Sequence, residues 1–225
     1  MELLKQTWWL LKKDLLLEWR SRAMLTMIFF FTVLALSVFG LALQASPDIQ
    51  RMVLPAMIWV VLSFAGTLGM GRLYASEQEE DALDALRMAP IASEAIFLAK
   101  HISLLIFMLS CAIWSVPLSA VMFQVDIAKL FPYAIPLFFL GLWGFAILGT
   151  FMETLLLQAR FREALLPLLF LPVALPVTIA GARATAELLG VGGIPHTMFW
   201  LRFLVFFDLF FLVVSLWLFE VQLEQ

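Results

Sequence analysis

The sequence has little charge and almost no cysteine. Charged residues make up 14% of its 225 positions, and 14 Lys and Arg against 17 Asp and Glu leave a net charge of −3. Soluble domains carry about 25% charged residues, and nucleic-acid binders carry a basic excess. The single cysteine, Cys111, cannot form an intrachain disulfide. These shortages exclude a water-soluble globule and a disulfide scaffold, and we expect no nucleic-acid partner.

Apolar residues are correspondingly abundant. It makes up 64% of the chain, and the mean hydropathy is +1.01. A helix needs about 20 apolar residues to cross a bilayer. Six runs reach or approach that length: 24–43, 52–71, 102–123, 130–152, 164–182 and 203–219. They are too long for buried strands and do not alternate as barrel strands do. The sequence therefore predicts an all-α integral membrane protein, one domain over 1–225 with six transmembrane helices.

The distribution of Lys and Arg predicts the orientation, because short cytoplasmic loops carry the excess of these residues. With the N-terminus inside, the inner face holds Lys5, Lys12, Lys13, Arg20, Arg22, Arg72, Arg87, Lys100, Arg160 and Arg162. The outer face holds only Arg51, Lys129, Arg183 and Arg202. We therefore expect both termini in the cytoplasm, short outer loops, and one large inner loop over 72–101.

Residues 1–22 have the pattern of an amphipathic helix lying on the membrane surface. At 100° per residue, one apolar stripe contains Leu4, Trp8, Leu11, Leu15 and Trp19. The lysines gather on the opposite side, where they suit anionic lipid headgroups. Asp14 and Glu18 lie at the edge of the stripe, where lipid would penalise them. We expect both to face protein, with Glu18 able to pair with Arg22 one turn later.

The inner loop contains an acidic stretch from Ser76 to Pro90. Ser76 and Glu79 form a capping box that predicts a short helix, and Pro90 ends it. The helix has an acidic side and an apolar tip, formed by Glu77, Glu80, Asp81, Asp84, Leu83 and Leu86. One interpretation is a solvated loop helix. The other is a docking element for a soluble partner, with leucine anchors and carboxylates that give specificity.

Two features inside the predicted spans are candidates for a gating or path-lining surface. Pro167, Pro172 and Pro176 fall in the fifth span, and each removes a helix hydrogen bond. They predict a bent or broken segment, either a static kink or part of a moving surface. Asp208 lies in the sixth span, where an acid is costly and a functional candidate. The alternatives for Asp208 are a structural pair, with Arg202 six residues away, or a place at the interface.

Motifs for catalysis and metal binding are lacking from the sequence. It contains no GxxxxGK[ST] phosphate loop, HExxH pair, Cys/His cluster or GxSxG turn. His101 and His196 fall on opposite membrane faces in the predicted topology, and we expect each to be a solvated interfacial side chain. The sequence thus predicts no catalytic residue, no metal ligand and no ATP site of its own.

Three segments together resemble a known family. The first is Lys13-Asp14-Leu15 followed by Glu18-Trp19-Arg20, before the first span. The second is the inner-loop run Tyr74, Glu77, Glu80, Asp81, Ala82 and Leu83. The third is the proline-rich run over 166–176. In this order, over nearly the whole length, they resemble the haem exporter protein B family (CcmB), the permease subunit of the cytochrome c maturation ABC transporter.

The resemblance implies a type-2 ABC permease of the bacterial cytoplasmic (inner) membrane. It implies a separate ATPase subunit that binds ATP and docks on the acidic helix. The further partners would be a haem-handling membrane subunit, a periplasmic haem chaperone and a second copy of this chain. Haem would be handled by the complex, with none bound directly here, and ATP-driven motion would deliver haem or release the loaded chaperone.

Other function classes stay open on the residues alone. A type-2 ABC export permease for a different cargo would have the same layout. A secondary transporter would use Asp208 for coupling and is expected to contain inverted repeats and broken helices. A membrane enzyme or an assembly scaffold is the third class. Copurification with a soluble ATPase separates the first class from the other two.

Overall fold

The computed structural model describes residues 2–42, 47–78, 93–125, 131–156, 159, 161–190 and 193–223. Within these ranges the protein consists of helices without strands. The helices are α1 (Glu2–Ser21), α2 (Ala23–Ala42), α3 (Pro47–Gln78), α4 (Ser93–Met122), α5 (Phe131–Leu155), α6 (Arg162–Leu189) and α7 (Gly193–Leu223). The predicted all-α membrane fold is confirmed, because α2 to α7 are each long and apolar enough to cross a bilayer.

The six spanning helices divide into a centre and a periphery. In the spans of α3 and α5, 67% of the residues are buried, against 17% in α2 and 22% in α7. Helix α6 packs against α3, α5 and α7, and α4 packs against α3 and α5. Helix α1 does not belong to this group, and its main neighbour is α4. The interior of the bundle is therefore built from α3, α4, α5 and α6.

Trp59 of α3 occupies the middle of this interior and is fully buried. Its indole ring fits between Gly141 of α5 and Gly181 of α6, where an added Cβ would collide with the ring. The ring stacks on Phe138 at 5.3 Å between centroids, and its Nε1 donates a hydrogen bond of 2.9 Å to Thr185 Oγ1. Glycines let helices approach closely in a membrane, so two glycines and one large ring set the spacing of three helices.

The two helices that flank the predicted inner loop over 72–101 extend into it from both ends. Helix α3 continues to Gln78, so Ser76 lies inside α3 and does not begin a new helix as its capping box predicts. Helix α4 begins at Ser93, so Lys100 and His101 are helical and buried, with 5% and 4% exposure. The sequence prediction ended each span at its first charge. Helix α4 includes Lys100 and His101 because protein, and not lipid, surrounds these two side chains.

Of the two forms predicted for the fifth span, bent or broken, the break is wrong. Helix α6 is continuous and contains all three prolines, Pro167, Pro172 and Pro176. Its packed stripe has the regular spacing of 4, 4 and 3 residues through the buried Leu166, Phe170, Ala174 and Val177. The prolines fall off this stripe. Packing along the stripe holds the helical backbone, and a helix in hydrocarbon has no alternative partners for its polar groups.

Candidate functional site

The acidic stretch predicted as a docking element lies mostly outside the described residues. The backbone of Glu77 forms part of the last turn of α3. Glu80, Asp81, Leu83, Asp84 and Leu86 belong to 79–92, between the described parts of α3 and α4. The structure therefore gives the two ends of this segment, at Gln78 and Ser93. Both ends belong to long helices of the interior, so a force applied to the segment acts directly on α3 and α4.

Helix α1 has three faces, because a side that meets protein lies beside the apolar and the basic sides. One face is buried against protein and contains Thr7, Leu11 and Asp14. A second, apolar face is exposed at Leu4 and Trp8, with 72% and 62% of each side chain accessible. The lysines and the exposed Trp9 form the rest, and Lys12 Nζ lies 5.8 Å above the Trp9 ring. The exposed apolar face and the basic face suit a helix in the headgroup layer.

Asp14 makes the most specific contact between α1 and the bundle. Its Oδ2 accepts a hydrogen bond of 2.9 Å from Lys100 Nζ and one of 3.3 Å from Ser103 Oγ, both on α4. Lys13 Nζ lies 3.6 Å from its Oδ1. Asp14 and Lys100 are only 7% and 5% exposed. We name this group the α1–α4 ion pair, defined by Asp14, Lys100 and Ser103.

Glu18 lies at the junction of α1 and α2. Its Oε1 accepts a hydrogen bond of 3.1 Å from the backbone N–H of Leu25, in the first turn of α2. One residue, Arg22, separates the two helices, and its φ of 50° places it in the left-handed region. A carboxylate at a helix N-terminus satisfies a free N–H and suits the helix dipole. Glu18 thus caps α2 from the last turn of α1.

Asp208 lies on α7 and is completely buried. Its carboxylate faces Gly144 of α5, where an added Cβ would collide with Oδ1 and would lie 3.3 Å from Val177 of α6. Neither carboxylate oxygen has a hydrogen-bond partner among the described residues. The alternative of a pair with Arg202 is therefore wrong, because Arg202 is exposed while Asp208 is enclosed by α5 and α6. An unpartnered acid at this depth stays a functional candidate.

His101 is an interior side chain and not the solvated interfacial one that the sequence predicts. Its Nε2 accepts a hydrogen bond of 2.8 Å from Trp143 Nε1 of α5, and its ring stacks on Phe97 at 6.3 Å. In a neutral ring that accepts through Nε2, the proton resides on Nδ1. The contact joins α4 to α5 within the same turn of α4 that binds Asp14.

An apolar cavity of about 360 Å³ lies where α3 and α5 begin and α4 and α6 end. Leu54, Leu109, Val116, Phe138 and Leu188 are among the side chains of its wall. The wall also holds two hydroxyls, and both are already donors to backbone carbonyls, Ser119 to Val116 and Thr185 to Gly181. A cavity of this chemistry admits apolar groups and gives no binding energy to ions or water.

The partners of the candidate residues are not predicted from the sequence. The charge of Lys100 places it in a loop, and no motif connects Ser103 or Gly144 with an acid. One signal for Lys100 exists in the sequence, since Lys100 and Ser103 are three residues apart and share a helix face if α4 begins before them. No local signal connects Gly144 with Asp208, because the two are brought together only by the packing of α5 on α7.

The arrangement defines a class of protein: a multi-pass membrane protein of six spanning helices, preceded by an amphipathic helix tied to the fourth helix of the chain. A family model described as "CcmB protein" matches residues 5–224. The chain therefore belongs to the CcmB family.

Three curated relatives are each named "Heme exporter protein B". The protein of Rhodobacter capsulatus is 31% identical over 176 residues, which cover 77% of this chain and 79% of that protein. The protein of Pseudomonas aeruginosa is 26% identical over 193 residues, with 85% and 86% covered. The protein of Paracoccus denitrificans is 29% identical over 161 residues, with 71% and 72% covered. All three are bacterial, and each is matched over most of its length.

Proposed function

We propose that this chain is the membrane subunit of a haem exporter that serves cytochrome c maturation. Its work is to couple ATP hydrolysis in a separate ATPase subunit to delivery of haem, or to release of a haem-loaded periplasmic chaperone. The observation that carries the proposal is the family match over residues 5–224. The name "Heme exporter protein B" of its relatives supports haem as the cargo of the complex.

The ATPase docks on the segment that joins α3 to α4. Its proposed contacts are Glu77, Glu80, Asp81, Leu83, Asp84 and Leu86. The position of this segment supports the assignment, since α3 and α4 pack on each other and on α5. A displacement of the segment then acts on interior helices and not on the peripheral α2 and α7. Carboxylates at the docking surface would select a basic patch on the ATPase.

Haem is bound by the companion subunits and passes this chain without an iron ligand from it. His101 is a poor iron ligand, because its Nε2 already accepts the indole N–H of Trp143. His196 lies near the start of α7, at the opposite end of the bundle from the start of α4. The other proposed partners are a haem-handling membrane subunit, a periplasmic haem chaperone and a second copy of this chain.

The complex resides in the bacterial cytoplasmic (inner) membrane, with both termini of this chain in the cytoplasm. The excess of Lys and Arg on one side supports this orientation. The exposed Trp and Lys side chains of α1 support a place for that helix in the headgroup layer of the same side. We expect activity from a reporter that is fused to the C-terminus and works only in the cytoplasm.

The test is copurification of the ATPase with this chain from detergent-solubilised membranes. The double variant Glu80→Lys with Asp84→Lys is expected to lose at least tenfold of the copurified ATPase. The matched control, Glu2→Lys with Glu94→Lys, makes the same change in charge at exposed positions of α1 and α4 and should retain it. Wild-type amounts of ATPase on the first variant would refute docking through this segment.

Two alternatives are distinguished by further measurements. An export permease for another cargo would copurify with an ATPase but would leave c-type cytochromes unchanged when the chain is deleted. A secondary transporter would bind no ATPase, and its expected broken helices are not supported by α6, which is continuous through its prolines. The buried Asp208 is the one observation that favours a transporter. Normal cytochrome c maturation in the Asp208→Asn variant would remove this support for a transporter.

A further inference from the structure

The α1–α4 ion pair joins two helices that differ in their surroundings. Helix α1 exposes an apolar stripe and a basic face, whereas α4 spans the bundle. Between them lie one carboxylate and one ammonium group, whose side chains are 5% and 6% accessible, at an N–O distance of 2.9 Å. Ser103 supplies a second donor to the same carboxylate oxygen, Oδ2. The pair is thus enclosed, and its carboxylate accepts two hydrogen bonds from α4.

Such a pair is a poor way to obtain stability. Removing two charges from water costs most of what their attraction returns, so apolar side chains of similar volume usually replace a buried pair without loss of stability. What a buried pair provides is a unique geometry, since its partners must meet at one place. Apolar contacts between helices tolerate a shift along the axis, but a 2.9 Å hydrogen bond does not. The ion pair therefore fixes the position of α1 along α4.

The α1–α4 ion pair lies near the start of α4, close to the proposed docking segment. Lys100 lies two turns after the start of α4 at Ser93, and α4 directly follows the proposed docking segment. At its other end, α1 is joined to α2 through Arg22 and the Glu18 cap. Helix α1 therefore connects the first turns of α4 with the first turn of α2, which lies at the edge of the bundle.

We propose that Asp14 and Lys100 are positioning residues, whose ion pair locks α1 to α4. A displacement of α4 by the docked ATPase is then passed to the interfacial helix α1 and to α2. This proposal rests on the proposed function for the source of the displacement. The lock itself is a property of this chain. Asp14 and Lys100 act through helix position and touch no cargo.

The main experiment compares two double variants in the whole complex. In Asp14→Leu with Lys100→Met, apolar side chains replace the pair. In Asp14→Lys with Lys100→Asp, the charges are exchanged. We expect the apolar variant to keep its amount of folded chain and copurified ATPase within twofold, while the yield of c-type cytochrome falls at least fivefold. The exchanged variant is expected to recover at least half of the wild-type yield.

The control removes one charge of each sign from the exposed side of α1, as Glu2→Leu with Lys5→Met. It should leave the cytochrome yield unchanged. If the exchanged variant does not fold, Asp14→Glu takes its place, because it keeps the charge and is expected to support maturation. An apolar variant with a wild-type cytochrome yield would overturn the proposal and reduce the pair to a structural contact.

A second measurement tests the lock without the ATPase. Spin labels are placed at exposed positions of α1 and α4, Trp8→Cys and Ile113→Cys, in a Cys111→Ala background. The distance distribution should be narrow with the ion pair intact and at least twice as wide in the apolar variant. Equal widths would overturn the lock. A chain that shows the lock but binds no ATPase would instead refute the proposed function and the transmission that depends on it.

Discussion

The centre of the bundle and the contact of α1 with α4 are held by different means. At the centre, Trp59 fills the space that Gly141 and Gly181 leave open, and shape fixes the helices. At α1, the charges of Asp14 and Lys100 meet with Ser103 as a second donor, and hydrogen-bond geometry fixes the helices. Both devices determine helix position, but the first depends on volume and the second on charge.

The difference reflects the solvent of each region. Lipid tails are as apolar as the side chains they meet, so helices inside the bilayer gain little from burying apolar surface and depend on close packing. Near the headgroups, water and lipid charges are available to competing arrangements, and a specific polar contact selects one of them. Variants that alter volume should therefore act most strongly at the centre, and variants that alter charge at α1.

The largest effect is expected from Trp59→Ala. The substitution empties the space between α5 and α6 and leaves Thr185 without its indole donor. We expect a loss of about 3 kcal/mol in the free energy of unfolding, measured by reversible SDS titration in mixed micelles. Trp114→Ala, at a tryptophan that is 61% exposed, is the matched control and should cost far less. Equal losses would show that shape does not organise the centre.

Gly141→Ala tests the same contact from the opposite side. The added methyl group collides with the ring of Trp59, so α5 must move away from α3, at a cost of about 1–3 kcal/mol. Gly71→Ala is the control, because no atom lies within 4 Å of its added Cβ. A helix favours Ala over Gly by roughly 0.5–1 kcal/mol, so the control should be stabilised. The comparison fails if both variants change stability in the same direction.

Trp143→Phe tests a polar contact inside the bundle. Phenylalanine keeps a six-membered aromatic ring but removes the pyrrole part of the indole, and with it the donor to His101 Nε2. A buried acceptor without a donor costs about 1–3 kcal/mol in proteins, and measured polar contacts between membrane helices lie near the lower end. We therefore expect a loss of about 1 kcal/mol in the same titration. If the free energy of unfolding does not fall, His101 Nε2 must have another donor within reach.

The smallest effect is expected from Asp208→Asn. No hydrogen bond among the described residues depends on the carboxylate, and the amide has nearly the same volume. The free energy of unfolding should change by no more than about 0.5 kcal/mol. Gly144→Ala supplies the contrast, because its Cβ collides with Asp208 Oδ1 and should destabilise the protein. A strong loss in Asp208→Asn would mean that charge, and not volume, matters at this site.

The sequence predicts the helical class and the number of spans, because both follow from the length of apolar runs. Six runs in the sequence correspond to six spanning helices in the structure. It does not predict where helices end. Lys100 and His101 were placed in a loop on the rule that charge ends a span, whereas Asp14 and Trp143, which are distant in sequence, receive them inside the protein.

The candidate residues can also be recognised from the sequence, whereas their partners cannot. Asp14 and Asp208 are noticed because an acid on an apolar face is unusual, and this needs no knowledge of neighbours. Their partners depend on which helices pack together, and that information is spread over the whole chain. The continuity of α6 through its prolines has the same cause, since local propensity disfavours a helix there and the packed stripe through Phe170 and Ala174 overrides it.

The separation of Asp14 and Lys100 by 86 residues has a consequence for biosynthesis. At about 5–20 residues per second, the carboxylate leaves the ribosome on the order of ten seconds before its ammonium partner. During that time the newly made N-terminal helix can remain hydrated at the bilayer surface, where its acid costs little. Desolvation of both groups is then deferred until the fourth helix is inserted, so closure of this contact must wait for α4 but needs none of the three helices that follow it.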